Sequence, residues 1–257
     1  MNSKSTYALA LEALMELTQE LREGKPNSVN GSTRLDELLN GLGNLPLEAL
    51  LLGMAYDGLP VLLNLHDPLP GPLLITGDNG IHQIDFLKFI AQVIGKTHDP
   101  NDVQYGVLSP TPEEWAGHEE SASCAGLVAI NDDKASDFVL SLNAWAHSNK
   151  TRQVVVLLLD GLEHIKDWDQ NSSDTLRWIF MRGPSRRVWP IVTLTKSEGA
   201  KVPYLMEHFR TKIYSQIPPE VGRYSVPMEA DVEQDGAIGN LFMKEGSGWL
   251  HFWFPKT

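Results

Sequence analysis

Apolar residues in the first part of the chain recur every three or four positions. Tyr7, Leu11, Leu14, Thr18 and Leu21 share one face, while Glu12, Glu16, Gln19, Glu20 and Glu23 fall largely on others. This spacing predicts an amphipathic helix over residues 5–23. Gly24-Lys25-Pro26-Asn27 ends it, because glycine suits the C-terminal cap and proline cannot continue a helix. Ser28 to Ser32 is polar and linker-like, and a short helix is expected over Leu35–Leu39 with Thr33 as N-cap. The first helix either packs back on the chain or docks on a partner or a second copy.

From Leu50 the period changes. Leu50–Ala55 and Pro60–Leu65 read as two short strands, with Asp57-Gly58 as the hairpin turn. Leu73–Thr76 predicts a strand, followed by a glycine turn and a helix to about Ile94. Val103–Leu108 and Leu127–Ile130 read as strands, and Ala135–His147 as a helix with Phe138, Leu142 and Trp145 on one face. Val154-Val155-Val156-Leu157-Leu158-Leu159-Asp160 has no polar alternation, so it reads as a strand covered on both faces, as in a parallel sheet. A helix over Asp174–Met181 and strands over Val188–Leu194 and Thr211–Ile217 complete the series. Gly239–Met243 and Trp249–Phe254 supply closing strands. Strands alternating with helices imply right-handed βαβ units and an α/β domain.

Composition adds limits. The 257 residues are 42% hydrophobic, enough for one sizeable core. The formal net charge of -12 argues against a stand-alone nucleic-acid binder, which needs a basic surface to release counterions; it leaves room for a basic partner. The single cysteine, Cys124, precludes an intramolecular disulfide and is expected as a small core residue in a buried strand, Cys124–Ile130. The opening MNSKSTYALALEAL lacks a compact apolar run with a small-residue cleavage site. No apolar stretch is long and clean enough for a bilayer, so no membrane insertion and a cytoplasmic location are expected.

The candidate chemistry lies in GPLLITGDNGIHQIDF, residues 71–86, a strand, a glycine turn and a helix. That layout suits a phosphate loop, G-x-x-x-x-G-K-[ST], whose backbone N–H groups wrap phosphates. Its lysine reaches the terminal phosphates, and its hydroxyl binds magnesium. The matching window is Gly77, Asp78, Asn79, Gly80, Ile81, His82, Gln83 and Ile84. The first glycine is kept. His82 replaces the second, Gln83 the lysine and Ile84 the hydroxyl residue. Asp78 and Asp85 add negative charge where a triphosphate would lie. The partner motif, an apolar strand ending in an acid, is met by Val154–Asp160. The glutamate that often follows the acid to polarise water is replaced by Gly161, with Glu163 three residues beyond Asp160.

With these two half-motifs in order, the chain resembles the FtsK/HerA-like family of P-loop ATPases, which includes DNA translocases and secretion motors. Leu51-Leu52-Gly53 through Asp57-Gly58-Leu59-Pro60-Val61 is similar to the family's lead-in hairpin. Arg182-Gly183-Pro184-Ser185-Arg186-Arg187 into Val188–Thr193 is similar to the segment leading to its sensor strand. The usual Thr-Gln at that strand's end is Leu194-Thr195 here. The resemblance implies an α/β, RecA-like P-loop NTPase fold over residues 45–257. A mainly parallel central sheet is flanked by helices, and residues 1–44 form an N-terminal helical extension. It also implies that Asp160 is the magnesium-positioning acid if the chain is active. Arg182, Arg186 and Arg187, the strongest basic cluster, are candidates for a partner-facing or trans-acting role in a neighbour's site; surface salt bridging is the plainer reading.

The eight histidines form no metal-ligand spacing, so no metal site is expected. Glu113-Glu114, Glu119-Glu120 and Asp132-Asp133 read as solvated surface that a basic partner can meet. The aromatic end around Trp249, Phe252, Trp253 and Phe254 reads as a closing core strand or as a subunit contact. The leading expectation is a catalytically degenerate member with protein partners or a homo-oligomeric state, acting as a structural or regulatory module and holding no cofactor. One alternative is an active ATPase subunit that uses ATP and magnesium, with Lys88 standing in for the lost lysine. The other is an α/β binding protein for a small ligand at the strand ends.

Overall fold

The computed structural model describes residues 35–78, 81–216, 238–245 and 248–256. The helix expected over residues 5–23, and Thr33 as a cap, lie outside the described residues. The short helix near Leu35 is α1, Leu35–Leu42.

Among the described residues, ten strands form one sheet. The lead-in hairpin is β1 (Ala49–Ala55) with β2 (Pro60–Asn64), and its turn needs Gly58 at φ +86°. Next in the chain are β3 (Leu73–Gly77), β4 (Val103–Ser109), β5 (Cys124–Ala129), β6 (Val154–Leu159) and β7 (Val188–Thr195). β8 (Thr211–Tyr214), β9 (Ile238–Glu245) and β10 (Gly248–Pro255) close the series. The spatial order is β2-β1-β10-β9-β8-β3-β7-β6-β4-β5. Strands β8 through β5 in that order run parallel, and the β9, β10, β1 and β2 pairings are antiparallel. This is the expected mainly parallel α/β sheet.

Strand β6 shows why an unbroken apolar run belongs at the centre. Val154, Val156 and Leu158 enter one core and Val155, Leu157 and Leu159 the other, so no residue is left for solvent. Helix α2 (Ile81–Thr97) covers the first face; its Phe86 and Phe89 meet Phe254 of β10 at ring-centroid distances of 5.2 and 5.4 Å. Leu35 and Leu38 of α1 join the same core, and Lys96 on α2 holds Asp36 at 2.7 Å. Helices α3 (Asp133–Ser148) and α4 (Gln170–Arg182) cover the second face over the parallel strands. Each begins at an aspartate: Asp132 accepts from Lys134 N–H at 2.9 Å, and Asp169 from Ser172 N–H at 3.1 Å. Trp189, fully buried in β7, donates its indole N–H to Leu65 O at 2.8 Å, tying the end of the hairpin to the central sheet. A four-residue helix, α5 (Pro203–Met206), precedes β8.

Two expectations need correction. The segment Cys124–Ile130 is not a buried strand: β5 is the outermost strand beside β4, and Cys124 is half-buried. Helices on both faces account for its apolar composition, with Leu127 packed on one core and Val128 on the other, while no strand among the described residues pairs with its outer edge. Strand β8 ends at Tyr214 rather than Ile217, and Ile217 lies outside the described residues. The closing strands behave as expected of core, with Phe252 and Phe254 fully buried. On the opposite face of the antiparallel half, His251 is stacked between Tyr56 and Phe242 at 4.1 and 4.3 Å.

Candidate functional site

The C-terminal ends of β3, β4, β6 and β7 lie along one edge of the sheet, where ligands of open α/β folds bind. The candidate phosphate loop and Asp160 both fall there. Positions 78–80 alone separate β3 from α2, with Asn79 and Gly80 outside the described residues. Helix α2 starts at Ile81, so the positions of His82, Gln83 and Ile84 are already helical.

Gln83 turns inward. It is 2% exposed, and its Nε2 donates to the carbonyl oxygen of Gly77 at 3.1 Å. The side chain in the lysine's place is therefore folded onto the base of the loop. Ile84 is buried in the first core and offers no oxygen. Asp78 is exposed.

Gly77 is closely approached by the residue after β8. Ser215, just past β8, donates its N–H to Thr76 O at 3.0 Å, and its Oγ occupies the space a Cβ on Gly77 would need. Gly77 does not have positive φ; a Cβ there would have to displace the Ser215 hydroxyl and would lie 3.2 Å from Ser215 Cβ and from Gln83 Nε2.

Asp160 follows β6 and accepts two hydroxyl donors: Ser109 Oγ to Oδ2 at 3.0 Å, and Thr193 Oγ1 to Oδ1 at 2.9 Å. Ser109 and Thr193 are both buried. Thr193 Oγ1 also accepts from Gly161 N–H at 2.7 Å, and Ser109 Oγ from Thr111 N–H at 3.2 Å. Burial raises the Asp160 pKa above the ordinary carboxylate value. The two hydroxyl bonds pull it back, and the charges of Glu163 and Glu114 push it up further. Glu163 sits in the turn after Gly161, with its Oε2 buried and without a hydrogen-bond partner.

Lys88, the candidate stand-in for the missing lysine, is also on α2. It lies one turn further along α2 and pairs with Glu114 at 4.0 Å. Arg182, Arg186 and Arg187 lie between the end of α4 and the start of β7, at the opposite edge of the sheet from Asp160. Arg182 and Arg186 are exposed, and Arg187 adopts a left-handed φ of 69°. The structure thus places the described part of the loop and Asp160 at the same ends of the parallel strands, and the arginines at the opposite ends. Ser109 and Ser215 are the site residues that sequence reading missed; the only local sign of Ser109 is a serine closing an apolar strand.

Fold and crevice together define a RecA-like P-loop NTPase fold. Solved structures similar to the chain carry the same architecture. EccC (ATPases 2 and 3) from Thermomonospora curvata, in complex with a signal sequence peptide, has a TM-score of 0.60 at 13% identity, covering 82% of this chain and 41% of that one. EssC (ATPases 2 and 3) from Geobacillus thermodenitrificans has a TM-score of 0.58 at 15% identity, covering 83% and 45%. The pCW3 conjugation coupling protein TcpA, solved as a monomer with ATPγS, has a TM-score of 0.51 at 11% identity, covering 80% and 65%. The chain spans about two fifths of the length of the EccC structure. No protein-family model matches the chain, and no curated protein matches it. At these identities the likeness is one of fold, and it is the fold that the resemblance implied. Among the described residues, no helix is long and apolar enough to cross a membrane, and no cluster of three or more metal-capable side chains occurs.

Proposed function

We propose that this chain is a catalytically degenerate member of the FtsK/HerA-like P-loop group, serving as a structural or regulatory interaction module in a secretion-type or DNA-processing assembly. The observation that carries this reading is the Gln83 amide bonded back onto Gly77 O, buried where an ATPase presents a lysine. A neutral amide in that place supplies no positive charge to the terminal phosphates, and Ile84 supplies no magnesium ligand. The Asp160 carboxylate accepts from two hydroxyls of the chain itself, Ser109 and Thr193. The assembly class is suggested by the fold neighbours: Thermomonospora curvata EccC is a Type VII secretion ATPase and TcpA is a conjugation coupling protein.

Titration calorimetry with Mg-ATP and a phosphate-release assay on the full chain test the reading. No heat of binding and no turnover are expected. Binding or turnover that disappears in Asp160→Ala would overturn it. In that event Lys88→Ala decides whether the α2 lysine participates.

A further inference from the structure

The outer edge of β5 is built differently from a protected edge. Its six residues, Cys124-Ala125-Gly126-Leu127-Val128-Ala129, include no charge and no proline, two of the devices that keep sheet edges from recruiting strands. Ala125 is exposed and the other five are half-buried. A register shift near Ala125 bends the start of the strand, leaving Gly126–Ala129 as its regular part. Ile130 N–H points back to Ser109 O on β4 at 2.9 Å. Alternation along a strand then turns the N–H groups of Leu127 and Ala129 toward the open edge.

The ends of this edge are acidic. Glu119 and Glu120 precede it and Asp132 and Asp133 follow it, all four exposed, with the exposed Lys134 offsetting one of the charges at the second end. These charges discriminate between occupants. In a two-fold antiparallel pairing of β5 with a second copy, Glu119 and Glu120 of one chain approach Asp132 and Asp133 of the other, so like charges meet at both ends. Like charges set opposite one another destabilise a strand pair. A strand with basic residues at both ends meets opposite charge instead, and the chain's formal charge of -12 attracts it over longer range.

We propose that the β5 edge is a docking strand for an extended apolar segment of a protein partner carrying lysine or arginine at both ends. The main-chain bonds of Leu127 and Ala129 hold the segment, and the acidic ends select it. This goes beyond the reading of the crevice and does not depend on it.

The test uses the full chain and a labelled peptide, Lys-Lys-Val-Thr-Val-Thr-Val-Lys-Lys, followed by fluorescence anisotropy and amide hydrogen exchange. Expected are saturable binding that weakens as salt rises and slower exchange of the Leu127 and Ala129 amides in the bound state. The triple variant Glu119→Lys, Glu120→Lys, Asp133→Lys should lower affinity at least about tenfold, since every 1.4 kcal/mol is tenfold. Leu127→Pro, which removes an outward N–H, should abolish the exchange signature. If that variant does not fold, wild-type exchange with and without peptide carries the same information. The proposal is overturned by absence of binding, by binding that leaves both amides unprotected, by equal binding of a peptide with glutamates at its ends, or by sedimentation showing that the wild-type chain pairs with itself and that the triple variant does not.

Discussion

Thr193 and Asp160 are joined by a 2.9 Å hydrogen bond between neighbouring strand ends, and the same Thr193 hydroxyl receives the N–H of Gly161. One buried oxygen thus organises both the acid and the turn that follows it. Thr193→Val removes the donor to Asp160 and the acceptor for Gly161, leaving buried polar groups without partners. A loss of about 2–4 kcal/mol in urea denaturation is expected, with Thr193→Ser within about 1 kcal/mol of wild type. Because the Thr193 bond is one of the causes that lower the Asp160 pKa, the valine variant should also titrate Asp160 at a higher pH by carboxyl NMR.

Gly77 and Ser215 should be energetically coupled. Gly77→Ala places a methyl group onto Ser215 Oγ, and a loss of about 1–3 kcal/mol is expected from overpacking. Combining it with Ser215→Gly should recover part of the loss, measured as a non-additive double-mutant cycle. Additive single effects would mean that Gly77 is kept for some other reason.

Gln83→Leu keeps the side-chain bulk and removes the donor to Gly77 O. The buried carbonyl then loses its side-chain partner, so destabilisation of about 1–3 kcal/mol is expected by chemical denaturation. Gln83→Lys should destabilise at least as much, because it puts an ammonium group at a site only 2% exposed. Without a hydroxyl at position 84, the lysine variant should still release no phosphate from ATP.

His251 predicts a pH dependence. Burial between Tyr56 and Phe242 lowers its pKa from the ordinary 6.5 to about 4. Above about pH 6.5 the ring is neutral in both folded and unfolded chains, and its full contribution to stability is present. As pH falls from 6.5 toward 4, the unfolded chain takes up the proton first, so stability is lost over that window. His251→Phe keeps a stacked ring and removes the proton. Between pH 7 and pH 5 the wild type should lose more stability than the variant by about 1 kcal/mol, after discounting for partial exposure. Parallel pH profiles would sink the prediction.

Much of this architecture is legible in the sequence because its signals are local. The hairpin announces itself through Asp57-Gly58, and β6 through six apolar residues without alternation. The loop's position between β3 and α2, with Gln83 and Ile84 where a phosphate loop carries a lysine and a hydroxyl residue, is equally local. What the sequence hides depends on strand order. Ser109 bonds Asp160 from 51 residues away, and this contact exists only because β4 and β6 are neighbours. Ser215 reaches Gly77 through the β3–β8 pairing, which no periodicity reveals. Cys124–Ala129 misleads for the same reason: an apolar run records the helices on its two faces and says nothing about whether another strand lies beside it.

The hydroxyl pair around Asp160 has a thermodynamic consequence. A protein whose folded form binds a ligand is stabilised in proportion to the logarithm of that ligand's concentration, so an ordinary ATPase domain feels the nucleotide and magnesium levels around it. On the proposed reading, Asp160 accepts one hydroxyl bond on each oxygen from the chain itself, and Gln83 and Ile84 supply neither the ammonium nor the hydroxyl that would complete a magnesium–nucleotide site. Mass action then has no purchase on this subunit, and its unfolding temperature should stay constant whether the surrounding solution is rich or poor in Mg-ATP.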